Sequence, residues 1–133
     1  MKLVVDTGVF SAALSHRRRP RFEPYVARLV GHQLNLAVQT VAELRFGALK
    51  AGWGDARRGR LEAAISTATI IPVTDALLTA VAELRLDCQQ IGHPLAADAH
   101  HEDLWIAATA VHIRAPLVAA DEIFVDVPGL TLL

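Results

Sequence analysis

The stretch Leu3-Val4-Val5-Asp6-Thr7-Gly8-Val9-Phe10 constrains this chain more than any other. Three consecutive β-forming apolar residues end in a carboxylate, and Thr-Gly follows at once. An apolar run without polar alternation suits a strand buried on both faces of a parallel sheet, whereas a half-exposed strand alternates. Asp6 stands where that strand ends, on the edge where open α/β sheets bind ligands. An aspartate there can equally cap the following helix by accepting from its free N–H groups. On this stretch alone the two roles are level.

Strand-like apolar runs recur at residues 34–38, 70–73, 117–120 and 130–133, and helical periods fill the gaps. That alternation predicts an α/β fold with a parallel sheet and crossover helices. A length of 133 residues suits one domain, 1–133, and the 53% hydrophobic content suits a real core. No apolar run approaches the roughly 18 residues of a membrane span, and the N-terminal run is stopped by Asp6, unlike a signal peptide. One cysteine, Cys88, excludes an internal disulfide and a cysteine-rich metal site. A cytoplasmic protein is expected.

The helical periods carry the details. A first short helix is expected over residues 7–14, then the basic loop His16-Arg17-Arg18-Arg19-Pro20-Arg21, which suits phosphate contact or simple solvation. A second helix is expected from 21 to 30, stopped at Gly31. Residues 39–51 place Val41, Leu44, Ala48 and Ala51 on a core stripe, with Glu43 on another side. Residues 55–67 carry Arg57, Arg58 and Arg60 near the helix start, where bases oppose the helix dipole. Thr74 is a good N-cap for residues 75–91, whose stripe is Leu77, Val81, Leu84, Cys88 and Ile91. Cys88 on that stripe reads as a small core residue. After a polar connection, residues 103–111 form an almost wholly apolar helix with Asp103 at its mouth.

A carboxylate at the mouth of a buried helix needs the free N–H groups of the first turn or a cation to satisfy it. The run at 117–120 then delivers Asp121, repeating the arrangement at Asp6. Glu43 joins these acids if its side of the helix faces the same sheet edge. Four carboxylates brought together repel unless protonated or neutralised by a cation, and oxygen-only ligands favour Mg²⁺ or Mn²⁺. Residues 1–60 hold 11 Lys/Arg against 4 Asp/Glu, while residues 61–133 hold 2 against 10. Basic surface beside a carboxylate-held metal makes a nuclease plausible.

Leu3-Val4-Val5-Asp6-Thr7, Thr40-Val41-Ala42-Glu43-Leu44-Arg45-Phe46-Gly47, Asp103-Leu104-Trp105-Ile106-Ala107-Ala108 and Leu117-Val118-Ala119-Ala120-Asp121 occur in the order found in PIN-domain ribonucleases. Over nearly its whole length the chain resembles the VapC toxins of VapBC toxin–antitoxin systems, including the ending Val127-Pro128-Gly129-Leu130. The resemblance implies a PIN-like three-layer α/β/α sandwich around a mostly parallel five-stranded sheet. It implies an Mg²⁺- or Mn²⁺-dependent endoribonuclease acting on tRNA or rRNA and leaving a 5′-phosphate and a 3′-hydroxyl. Asp6, Glu43, Asp103 and Asp121 match the family acids, with Asp6 and Asp103 as direct metal ligands, and Glu43 and Asp121 binding directly or through water. Thr7 would hold a ligand or phosphate, or start the helix. A VapB-type antitoxin, whose C-terminal segment covers the acidic groove, and a homodimer are further implications. Ala119 stands where family members usually carry Thr or Ser, so one hydroxyl beside the last acid is missing, and the segment after Asp121 is a residue shorter than usual. Asp98, Glu102, Glu122 and Asp126 are solvated or auxiliary, Asp98 being the best auxiliary candidate.

Other chemistries fit less well. A haloacid-dehalogenase-type phosphatase needs a second Asp where Gly8 stands, and a dinucleotide site needs more than one glycine after the first strand. His100-His101-Glu102 lacks the paired cysteines of zinc deaminases, and His93, His100 and His101 read as loop residues. The rival reading is a non-catalytic PIN-fold protein that binds RNA or a partner without cutting.

Overall fold

Why the opening run is uninterrupted becomes plain in the computed structural model, which describes residues 1–133. Strand β1 (Lys2–Val5) lies inside a sheet of order β3-β2-β1-β4, with β2 at Gln33–Ala37, β3 at Thr69–Ile71 and β4 at Leu117–Val118. Every pairing is parallel: Leu3 faces Leu34, Val4 faces Leu117, and Leu36 faces Ile70. Leu3 and Val5 point into one core and Val4 into another, and all three are wholly buried. Burial on both faces leaves no position for a polar residue.

The core on the Leu3 face is closed by α1 (Thr7–Ala13), α2 (Arg19–Ala27), α3 (Val38–Lys50) and α4 (Asp55–Ser66), through Val9, Val26, Val41, Leu44 and Leu61. The core on the Val4 face is closed by α5 (Asp75–Gln90) and α6 (His101–Ile113), through Leu77, Leu84, Cys88, Leu104 and Ala107. The result is the expected three-layer α/β/α arrangement. No helix is long and apolar enough to cross a membrane.

The expected fifth strand is reduced to a single parallel bridge between Leu117 and Leu132. Leu117 donates to the Thr131 carbonyl (2.8 Å) and its own carbonyl accepts from Leu133 (3.0 Å). Its neighbours turn the other way: Pro116 and Val118 offer their carbonyls to Val4 and Asp6 of the β1 side. Past Val118 the chain leaves the sheet, so Leu117 alone can pair outward, and the sheet has four strands rather than five.

Helix ends also differ from expectation. Helix α2 starts earlier, with Pro20 in its first turn, and ends at Ala27, three residues before the expected end. A proline suits the first turn because its missing N–H has no helical partner there, whereas Pro24 inside the helix removes a bond. Ala51 and Ile91 fall just beyond α3 and α5 and are exposed, so neither joins its core stripe. Thr74 does cap α5, accepting from the Leu77 N–H at 3.2 Å. The polar connection before α6 is two short 3-10 turns, Pro94–Ala96 and Asp98–His100. His93 fastens it: Nδ1 accepts from Leu95 N–H (3.0 Å) and Nε2 lies 2.8 Å from the Val125 carbonyl. Both ring nitrogens are thus engaged by backbone, with the proton on Nε2. Two of the three bases of α4 are occupied locally, Arg58 on Asp55 at 2.7 Å and Arg57 over the Trp53 ring at 3.8 Å.

Candidate active site

Asp6, Glu43, Asp103 and Asp121 line one cleft of about 630 Å³, together with Thr7. Four separate elements bring them there: the end of β1, the middle of α3, the first turn of α6 and the segment after β4. Parallel strands all end on the same edge, and helices that follow or precede those ends deliver their first turns to it.

Asp6 is the N-cap of α1, with Oδ1 accepting from the Val9 N–H at 2.8 Å. The cap role and the cleft role coexist, because the bond uses one carboxylate oxygen. Only 7% of Asp6 is exposed. Burial pushes its carboxyl up to about 6; the Val9 N–H opposes this, and the charges of Asp103, Asp121 and Glu43 add to the rise.

Glu43 reaches the cleft through a hydroxyl pair. Thr7 Oγ1 lies 3.1 Å from Glu43 Oε1 and 3.2 Å from Thr40 Oγ1. Thr7 has one proton; given to the carboxylate, it leaves Thr40 to donate to Thr7, a relay from Thr40 through Thr7 to Glu43. Burial raises the Glu43 carboxyl; the Thr7 hydroxyl opposes that, and Glu102 and Asp103 reinforce it. Thr7 therefore both starts α1 and orients an acid, and Thr40, wholly buried, is a member that sequence reading passed over.

Helix α6 begins at His101, two residues earlier than its apolar pattern suggested, so Asp103 is the third residue of the first turn and no N-cap. Burial and the Asp121 charge raise its carboxyl, while His100, with Nδ1 3.7 Å from Asp103 Oδ2, opposes the rise. Asp121 is exposed and caps a short 3-10 turn, with Oδ1 accepting from Ile123 at 3.0 Å. Ala119 is half-buried against the core on the Val4 face. Asp98 lies apart: its carboxylate is 93% exposed and pairs with Arg85 at 2.8 Å, because it precedes α6 on the α5 side.

None of the four acids is paired with a lysine or arginine; the sole ion-pair contact among them is His100 with Asp103. Three of them have raised carboxyl pKa values. An all-oxygen set destabilised by its own charge is chemically suited to a hard divalent cation. As the side chains stand, no three of the protein's His, Cys, Asp or Glu are gathered tightly enough to enclose an ion. Asp103 and Asp121 stand on half-exposed and exposed positions, with room to move toward such a cation.

Opposite the acids, Arg21, Phe22 and Tyr25 of α2 line the same cleft. Sequence reading assigned Arg21 to the basic loop and passed over the two aromatics. The i, i+4 spacing puts Arg21 and Tyr25 on one helix face, with Phe22 on its flank, but nothing in the spacing says what that face meets.

The PIN domain family matches residues 3–130. Ribonuclease VapC5 of Mycobacterium tuberculosis is 33% identical over 95% of this chain and 87% of its own length. Two crystal structures share the fold. One is VapBC2 from Rickettsia felis bound to a DNA fragment from their promoter, with TM-score 0.80, 22% identity, and 100% of this chain and 98% of that chain covered. The other is FitAcB from Neisseria gonorrhoeae, with TM-score 0.79, 21% identity and coverage of 98% and 96%.

Proposed function

This chain belongs to the PIN-domain family, in its VapC branch, and from that premise we propose that it is a metal-dependent endoribonuclease, the toxin of a type II toxin–antitoxin pair. Its substrate is tRNA or ribosomal RNA. The observation that carries this reading is the convergence of Asp6, Glu43, Asp103 and Asp121 on one cleft without a lysine or arginine paired to any of them.

These four acids would hold Mg²⁺ or Mn²⁺, which when bound activates water and stabilises phosphate oxygens in an in-line displacement. The chain's own work is positioning. The Val9 N–H fixes one oxygen of Asp6 and leaves the other free for the cleft. The Thr40–Thr7 relay holds Glu43 in one orientation. Asp121, on an exposed turn, is free to adjust. Because the buried acids hold protons more tightly than usual, a cation must displace them, and its binding strengthens as pH rises through about 6 at Asp6.

The purified protein should cut cellular RNA in Mg²⁺ or Mn²⁺ and lose the activity in EDTA or as Asp6→Asn. Undiminished cleavage by Asp6→Asn would overturn the assignment of the acids. Sequencing RNA 5′ ends after brief induction in cells would name the cut site. The non-cutting alternative draws on the open arrangement of the carboxylates; RNA binding without cleavage in either metal would favour it. A VapB-type antitoxin covering the cleft, a homodimer and a cytoplasmic location belong to the same proposal, and the VapBC2 complex among the similar folds supports the antitoxin.

A further inference from the structure

The acidic cleft has a second wall of opposite character. Helix α2 turns Arg21, Phe22 and Tyr25 toward it, and Arg21 is the sole lysine or arginine among the cleft residues. Three of its basic neighbours are committed elsewhere: Arg18 to Ser11 at 2.6 Å, Arg19 to Glu23 at 3.4 Å, and Arg28 to the Leu133 carbonyl at 2.9 Å. Arg21 takes part in no such contact, even with four carboxylates bordering its cleft. The guanidinium is therefore available to an incoming anion.

The two aromatics are half-buried. One side of each packs on the Leu3-face core, and both border the cleft. The Arg28 guanidinium lies 5.2 Å from the centre of the Tyr25 ring. That guanidinium, itself tied to the backbone at Leu133, braces the ring, whose uncovered part borders the cleft. Aromatic rings beside a cationic groove are how proteins hold unpaired nucleotides: the base stacks, the phosphate meets the arginine, and sequence matters little. A base locked inside a duplex offers no such face.

We propose that Arg21, Phe22 and Tyr25 form a nucleotide subsite in which one unpaired base next to the cut phosphodiester stacks on Tyr25 and Phe22 while Arg21 holds its phosphate. This rests on the ribonuclease reading and adds to it the residues that meet the nucleotide beside the cut. The subsite belongs to α2, not to the acids, so it acts on binding rather than on the chemical step.

The test is fluorescence anisotropy in the Asp6→Asn background with Mg²⁺, using an end-labelled oligoadenylate of eight nucleotides and an abasic chain of the same length and charge. The expected result is about tenfold or more tighter binding of the oligoadenylate, as one base stacked on an aromatic ring gives. Tyr25→Ala should weaken the oligoadenylate to near the abasic level and leave the abasic chain unchanged, whereas Tyr25→Phe should retain binding. Arg21→Ala should weaken both chains alike and lower the salt dependence by about one phosphate contact. Circular dichroism of each variant checks that α2 persists, and Phe22→Leu supplies a second, fold-sparing probe. Equal binding of both chains by the parent, or indifference of folded Tyr25 and Phe22 variants, overturns the subsite while cleavage by the wild-type protein leaves the nuclease reading standing. Absence of both RNA binding and cleavage overturns the nuclease reading itself. If Tyr25→Ala weakens capture of the co-expressed antitoxin but not of oligoadenylate, α2 is a protein-docking face and the subsite is wrong.

Discussion

The junctions after β1 and after β4 look alike in sequence and differ in structure. Each sends an apolar run into an aspartate that caps the next turn of helix, Asp6 through Val9 and Asp121 through Ile123. Yet Asp6 is 7% exposed whereas Asp121 is open to solvent. The reason lies in the neighbours. Strand β1 has a strand on each side, so the residue that follows it is walled in, and burial holds the Asp6 proton up to about 6. Strand β4 has two residues, a single bridge on its outer side, and two alanines before Asp121. A strand followed by a carboxylate supplies the acid; the flanking strands decide how much water it keeps.

That difference predicts an order of effects. The largest is on cleavage: Asp6→Asn should lower the rate at least about 10³-fold, about 4 kcal/mol of transition-state stabilisation, in a gel assay with Mg²⁺. Next is stability without metal. The folded state holds the Asp6 proton to about pH 6 against 3.8 for the ordinary carboxyl, so it binds more protons than the unfolded chain between those values. The stabilising effect of that proton is full below the lower value and lost as pH rises through the higher. Asp6 therefore costs the fold about 3 kcal/mol at neutral pH. Urea unfolding in EDTA should find Asp6→Asn more stable than the parent at pH 7.5, the gap closing as pH falls below 6. A gap that widens toward acid would reverse the sign and refute the burial argument. Third, Asp121→Asn should slow cleavage only about tenfold, about 1.4 kcal/mol; a loss equal to that of Asp6→Asn would erase the distinction between the junctions. Smallest is Ala119→Ser: Ala119 packs on the Val4-face core rather than lining the cleft, so the cleavage rate should change by less than about threefold, about 0.6 kcal/mol.

Much of this was legible in the residues alone. The unbroken Leu3–Val5 run announces a doubly covered strand, Thr74 announces a helix start, and the α5 stripe from Leu77 to Cys88 is buried as its spacing requires. Asp6, Asp103 and Asp121 could be picked because each sits near an element boundary beside an apolar segment, whereas Glu43, inside α3, stood out by its motif and its place off the core stripe. Other features depend on contacts that no local pattern records. Helix α6 starts among His100 and His101 because a first turn needs no apolar residue, so periodicity alone places its beginning too late. Ile91 fits its stripe but lies past the last turn, where no neighbour covers it. Asp98 resembles an auxiliary acid until Arg85, thirteen residues earlier, claims it. Thr40 shows no polar role in a helix stripe; its partner Thr7 is 33 residues away.

The strand order also sets a schedule. The first strand made, β1, occupies an inner place in the sheet, and its partner on one side, β4, is synthesised more than 110 residues later. At about 5–20 residues per second of translation, seconds separate Asp6 from Asp121. A nascent chain holding Asp6 and Glu43 has neither α6 nor β4 to finish the cleft, so an interrupted product lacks two of the four acids. The cleft is complete only once Asp121 has been added.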